Sequence, residues 1–250
     1  MLILQHVLCT MKEIVHPSTR LIAATMYPDA VRAYTGHREY SHFEKSANGD
    51  FSYYMAYPND LHTDGATIKA AIDATKQDIS LVCACAVGEK TDMQAFLLNN
   101  KDLDVELKRG IAYHLLQDMA FDDFIRDVID CSGKYNDTFS FQGKIMNGAE
   151  VRALINQISQ HGMYVLARDL YERKGLVINQ TWLQNHLRPI MEKEFSADLM
   201  TKTYKYMVIE PRIEELISAR DWSELDKGPV SLQAYEDLYA DVGRRMKDYQ

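Results

Sequence analysis

Apolar residues return at helical spacing along most of this chain, and the pattern predicts helices over residues 2–15, 66–87, 104–130, 148–173, 180–192, 195–219 and 231–247. The fourth of these shows the rule well. Val151, Leu154, Ile155, Ile158, Val165 and Leu166 recur on one face, and Gly175 stands where a helix would stop. Pro189 and Pro211 are expected to bend or end helices. Alternation of the β kind is weak. "FSYYMAYP" and "DTFSFQG" each read as a short strand or an ordered loop. Two stretches lack helical periodicity, residues 27–65 and 131–148, and long loops inside a domain are often functional. There is no internal repeat, no low-complexity tract and no Pro/Gly/Ser-rich linker. The expectation is therefore one all-α domain over 1–250, ending in a C-terminal helical extension over 176–250.

Composition narrows the partners. With 250 residues and 46 % hydrophobic content the chain can bury a sizeable core. Its formal net charge is −8 and no run of Lys and Arg forms a basic stripe, so stable nucleic-acid binding is not expected. No apolar run approaches the roughly 20 residues of a membrane span. The N-terminal "MLILQHVLCTMKEIVHP" lacks a basic leader and is interrupted by Gln5 and His6, so the expected location is cytoplasmic. Cys9, Cys83, Cys85 and Cys131 fit neither a C-x-x-C metal site nor a disulfide framework, and they read as buried thiols.

The chemistry concentrates in "RGIAYHLLQDMAFDDF", residues 109–124. His114 and Asp118 are four apart on a predicted helix, hence on one face, among Ile111, Leu115 and Ile125. Such a pair offers one ion a nitrogen and an oxygen, a mixed set that zinc, manganese and iron accept. The alternative is a helix-surface His–Asp hydrogen bond, although a carboxylate beside an apolar face is costly unless paired or metal-bound. Upstream, Pro28 is expected to pin the chain just before Asp29, at the end of "RLIAATMY", and His37 and His42 follow in the irregular region. An aspartate and a histidine from there, with His114 and Asp118, would make a set of two imidazoles and two carboxylates.

"LIAATMYPDAV", "SHFE" and "GIAYHLLQD" together resemble the zinc-dependent phospholipase C family, related to the S1/P1 nucleases, whose segments read Pro-Asp, then His-Phe, then G-x-l-x-H-l-l-x-D. The resemblance covers roughly residues 1–130. It implies a multi-helix orthogonal bundle and a metal held by Asp29, His42, His114 and Asp118, with His42 preferred to His37 because Phe43 follows it. It also implies an N-terminal histidine near the cluster, for which His6 is preferred to His16. Zinc is the first choice of cofactor, with manganese or iron open. The chain departs from the multi-zinc pattern in three places. It does not begin with Trp, Phe124 stands ten residues after His114, and His161 is followed by Val165 rather than Glu at the fourth position. One ion is expected rather than three, with a second open if Asp122 or His161 assists.

The resemblance implies a small phosphoester as substrate and a metal-activated water as nucleophile. The competing reading is a non-enzymatic helical protein carrying a structural or relict metal. Asp122, one turn past Asp118, would orient a ligand or face water, and His161 is either a core histidine or a general acid. Arg38 and Lys45 are further candidates for the leaving-group acid. In "NDLHTDG", Asp64 is expected to cap the following helix.

Overall fold

The computed structural model describes residues 1–46, 52–75, 91–131, 139–209 and 222–249. Three helices make its centre: α1 (Ile3–Glu13), α2 (Thr19–Thr35) and, after the short α3 (Arg38–Ser41), α4 (Gly65–Thr75) and α5 (Met93–Asn99), the long α6 (Val105–Val128). A small antiparallel sheet β1 (Asp130–Cys131), β2 (Phe139–Phe141), β3 (Lys144–Met146) follows, with Ser140 opposite Asp130 and Phe139 opposite Met146. Its hairpin turns through Gln142 and Gly143, both at positive φ (50° and 80°). Then come α7 (Gly148–Lys174), α8 (Gln180–Trp182), a π turn (Leu183–Leu187), α9 (Arg188–Glu194), α10 (Ala197–Ile209), a 3-10 turn (Ser223–Lys227) and α11 (Leu232–Asp248). The chain is mostly helical, as its periodicity implies, and buried apolar residues from Ile3 to Met246 join in one cluster. Among the described residues no helix is long and apolar enough to cross a membrane.

Two sequence expectations need correction. Residues 27–35 are not irregular: α2 runs through Pro28 and ends one residue before Gly36, which caps it in the left-handed conformation at φ 77°. Asp29 is thus inside a helix, not at its end. The periodicity missed α2 because every residue from Leu21 to Val31 is buried, so the helix has no polar face to alternate with. α5 also went unpredicted. The described part of "FSYYMAYP", residues 52–58, is an ordered loop whose Ser52 bridges Lys45, whereas "FSF" within "DTFSFQG" is a strand. The second halves of the helices expected over 66–87 and 195–219 lie outside the described residues, as do Cys83 and Cys85. Cys9 is buried and unpaired as a disulfide. Asp64 does cap α4, accepting from Thr67 N at 2.8 Å.

What positions the site is the packing of α2 against α6. A Cβ at Gly110 would lie 2.4 Å from Ala24 Cβ and 2.9 Å from the Leu21 carbonyl oxygen, so only glycine lets the two backbones meet there. Beside this contact and within the next two turns, α2 presents Thr25 and Asp29 to α6, and α6 presents His114 and Asp118 in return. α1 packs on both helices and also on α7 and α11.

Candidate metal centre

Gln5, His6, Thr10, Thr25, Asp29, Ser41, His42, His114, Gln117 and Asp118 are all buried. Three helices and one loop residue converge here. α1 supplies His6, α2 supplies Asp29, α6 supplies His114 and Asp118, and His42 sits at the end of α3. Its peptide nitrogen donates to the Arg38 carbonyl at 2.9 Å. Phe43 then takes a left-handed φ of 54°. That conformation, worth about 1–3 kcal/mol of strain in a non-glycine residue, turns the Phe43 ring into the core against Phe96 (5.3 Å between centroids) while His42 points the other way.

The five side chains expected as ligands therefore come together. His42 Nε2 is 3.0 Å from His114 Nε2, 3.4 Å from Asp29 Oδ1 and 3.6 Å from Asp118 Oδ2. His114 Nε2 is 3.7 Å from Asp118 Oδ2. His6 Nε2 is 3.3 Å from Asp118 Oδ1 and 4.0 Å from Asp29 Oδ2, and its ring stacks on His114 with centroids 3.8 Å apart. Ligand atoms held at about 2.1 Å by one cation lie no more than roughly 4.2 Å apart. Every one of these separations fits. His6, His114 and Asp118, and equally Asp29, His42 and His114, form groups that could hold a metal ion.

Each imidazole is engaged at its other nitrogen. His114 Nδ1 lies 2.8 Å from the Thr25 carbonyl oxygen, His6 Nδ1 lies 2.7 Å from Gln117 Oε1, and His42 Nδ1 lies 2.8 Å from Ser41 Oγ. A carbonyl only accepts, so His114 donates from Nδ1 and turns the lone pair of Nε2 inward. His6 Nε2 is buried with no hydrogen-bond partner among the described residues. Acceptors facing acceptors in a dry core are unfavourable unless a proton or a cation stands between them.

Charge favours the ligand forms. Burial pushes His114 well below the ordinary histidine value, and burial together with the Arg38 guanidinium lowers His42, so both stay neutral at pH 7. For Asp118 burial acts upward, but the amino group of Met1, His6 and Arg38 outweigh it and hold the carboxyl well below its usual range. The Met1 nitrogen is 2.6 Å from Asp118 Oδ1 and Arg38 Nη2 is 2.8 Å from Asp118 Oδ2. Asp29 is likewise held low, its burial outweighed by His42, whose Nε2 is 3.4 Å from Oδ1, and by His114 and His6 beside it.

Two arginines stand at the rim among acidic groups. Arg38, with its side chain 25 % exposed, pairs with Glu44 as well as Asp118, and Arg32, 49 % exposed, reaches Asp29 Oδ1 at 3.4 Å. Asp122 adds its charge beside Arg38. Burial disfavours the charged guanidinium, but Asp118, Glu44, Asp122 and Asp29 outweigh it and raise Arg38 above the usual arginine value, so Arg38 cannot serve as the leaving-group acid. His161 is placed elsewhere. Its Nε2 bonds the Leu225 carbonyl at 2.9 Å and its ring packs on Tyr235 at 5.3 Å, the setting of a core histidine. His37 pairs with Glu39 at 2.9 Å, and His16 and His62 are exposed. Sequence reasoning missed Gln117, Thr10, Thr25 and Ser41. No motif marks them, since their role depends on contacts such as Gln117 to Thr10, 107 residues apart in the chain. No family model matches the chain, and no curated protein or solved structure matches it either.

Proposed function

We propose that this protein is a metal-dependent hydrolase of phosphoesters, with one divalent transition metal, zinc first among the candidates, held by His6, Asp29, His42, His114 and Asp118. One observation carries the reading: three imidazoles with occupied Nδ1 atoms and two carboxylates meet in one buried cluster, in which His6, His114 and Asp118, and Asp29, His42 and His114, form groups that could hold an ion, and His6 Nε2 has no hydrogen-bond partner among the described residues. When bound, such an ion supplies Lewis acidity and lowers the pKa of a water from 15.7 to about 7. The protein's own part is to fix the donors. Thr25, Gln117 and Ser41 orient the imidazoles, as partners of metal-ligating histidines usually do. Arg38 orients the Asp118 carboxylate by holding Oδ2.

The phosphoester class rests on two supports. One is the resemblance of the Pro-Asp, His-Phe and H-x-x-x-D segments to the phospholipase C and S1/P1 nuclease family, whose orthogonal helical bundle is the proposed fold. The other is the pair of arginines, Arg32 and Arg38, standing on the solvent side of the two carboxylates. Guanidinium groups there suit a phosphoryl anion. Asp122 keeps Arg38 in place in this scheme rather than moving a proton, and His161 takes no part.

A second reading is a structural ion, and burial favours it: His6, His42 and His114 are each 0 % exposed. The experiment that separates the two is hydrolysis of nitrophenyl phosphate monoester and diester by zinc- and manganese-loaded protein. Turnover that EDTA abolishes, and that His114→Ala lacks, is expected. Stoichiometric metal without turnover of either ester would leave the structural ion.

A further inference from the structure

Gln117 is 0 % exposed, and a buried primary amide must place two donor hydrogens and one acceptor oxygen. Its nitrogen lies 3.1 Å from Thr10 Oγ1 and 3.4 Å from Met246 Sδ, and its oxygen lies 2.7 Å from His6 Nδ1. The polarity of this chain is set at its far end. The Leu21 carbonyl only accepts, so Thr25 Oγ1 donates to it at 2.9 Å. Thr25 Oγ1 then accepts from Thr10 Oγ1 at 3.5 Å, and Thr10 Oγ1 accepts from the Gln117 nitrogen. Gln117 Oε1 is thereby left facing His6, so Nδ1 is the ring nitrogen that must carry a proton.

The other two histidines do not depend on an amide. His114 donates to a backbone carbonyl and His42 faces a hydroxyl, whose hydrogen is directed at the carbonyls of His37 and Arg38. His6 alone bonds a group that presents an oxygen in one orientation and a nitrogen in the other. Turned round, Gln117 would donate to Nδ1, and the imidazole proton would move to Nε2 and block the ligand position.

We propose that Gln117 is a positioning residue, kept in one orientation by Thr10 and Thr25, whose task is to hold His6 in its Nδ1–H tautomer with Nε2 open to a metal ion. The inference rests on the metal-site reading given above. It ties four elements to one tautomer: α1 through Thr10, α2 through Thr25, α6 through Gln117 and α11 through Met246.

The test uses the full chain, labelled with ¹⁵N-histidine and freed of metal with a chelator. Ring ¹H–¹⁵N spectra report the His6 tautomer, and competition with a chromogenic chelator reports zinc affinity. The unaltered protein is expected to show a protonated Nδ1 and an unprotonated Nε2 at His6. Gln117→Leu removes the acceptor and should mix the tautomers and lower zinc affinity about 10- to 100-fold. Gln117→Glu keeps an acceptor toward Nδ1, with Thr10 turning to donate, and should restore both readouts. Thr10→Val frees the amide to rotate and should give mixed tautomers with a smaller loss of affinity. Unchanged tautomer and zinc affinity in Gln117→Leu would overturn the proposal, as would the same result in Thr10→Val should the leucine variant fail to fold. An unaltered protein that binds no zinc would sink the metal reading, while the ring spectra would still decide the role of Gln117.

Discussion

At the scale of the residue, the candidate site is a set of buried groups whose neighbours favour the forms that could hold a metal ion. His114 shows this most simply: one nitrogen is bonded to the Thr25 carbonyl, the other faces Asp118 and His42, and burial keeps the ring neutral. A pH dependence follows. In the unfolded chain His42 and His114 take up a proton near their ordinary value of 6.5, whereas in the folded chain they do so only at lower pH. Protons then favour unfolding. The stability that these residues allow is complete above pH 6.5 and is lost as pH falls below it. The depressed Asp29 and Asp118 carboxyls add to the loss below about pH 4. For chelator-treated protein the urea midpoint should be level from pH 8 to 7 and decline steadily below 6.5, with a shallower decline in His114→Gln. A midpoint that stays level down to pH 5 would contradict the neutral imidazoles.

Elements decide whether those residues meet. The helix α6 that carries His114 and Asp118 was legible in the sequence almost to its ends, because one flank is apolar and Asp104 caps it, accepting from Glu106 and Leu107. The four-residue spacing of His114 and Asp118 carried straight through to geometry, since a helix enforces it. Asp29 was legible as a candidate but not in its setting: Pro28 reads as a helix end, and α2 continues past it inside a packed core. The preferences for His42 over His37 and His6 over His16 were legible in the resemblance, and the fold supplies their physical reason: the left-handed Phe43 and the packing of α1 turn those two rings inward. Gly110 is the element-scale test. In Gly110→Ala the new methyl meets Ala24 and the Leu21 carbonyl, so α2 and α6 must separate. A destabilisation of about 1–3 kcal/mol is expected from overpacking. Zinc affinity should weaken as well, because Asp29 and Thr25 move with α2. Unaltered thermal stability and zinc affinity in this variant would show that the close approach does not set the site.

Across the whole molecule the proposed ion joins segments far apart in sequence: α1, α2, the end of α3 and α6. A ligand bound only by the folded chain stabilises it by about 2.7 kcal/mol at a hundredfold excess over its dissociation constant. For a chain of 250 residues that corresponds to a rise of roughly 5–10 °C in melting temperature, at about 2–4 °C per kcal/mol. Zinc should produce that rise in the unaltered protein and not in Asp118→Asn, whose carboxylate stands between His6 on one oxygen and His42 and His114 on the other. Equal shifts in both proteins would place the ion elsewhere.

The most direct measurement is the metal content of purified, reconstituted protein after extensive dialysis, by elemental analysis, beside His114→Ala prepared in the same way. About one equivalent of a divalent transition metal in the first and close to none in the second is expected. Protein that retains no metal after reconstitution, or a His114→Ala variant that retains as much, would contradict a shared ion at His6, Asp29, His42, His114 and Asp118.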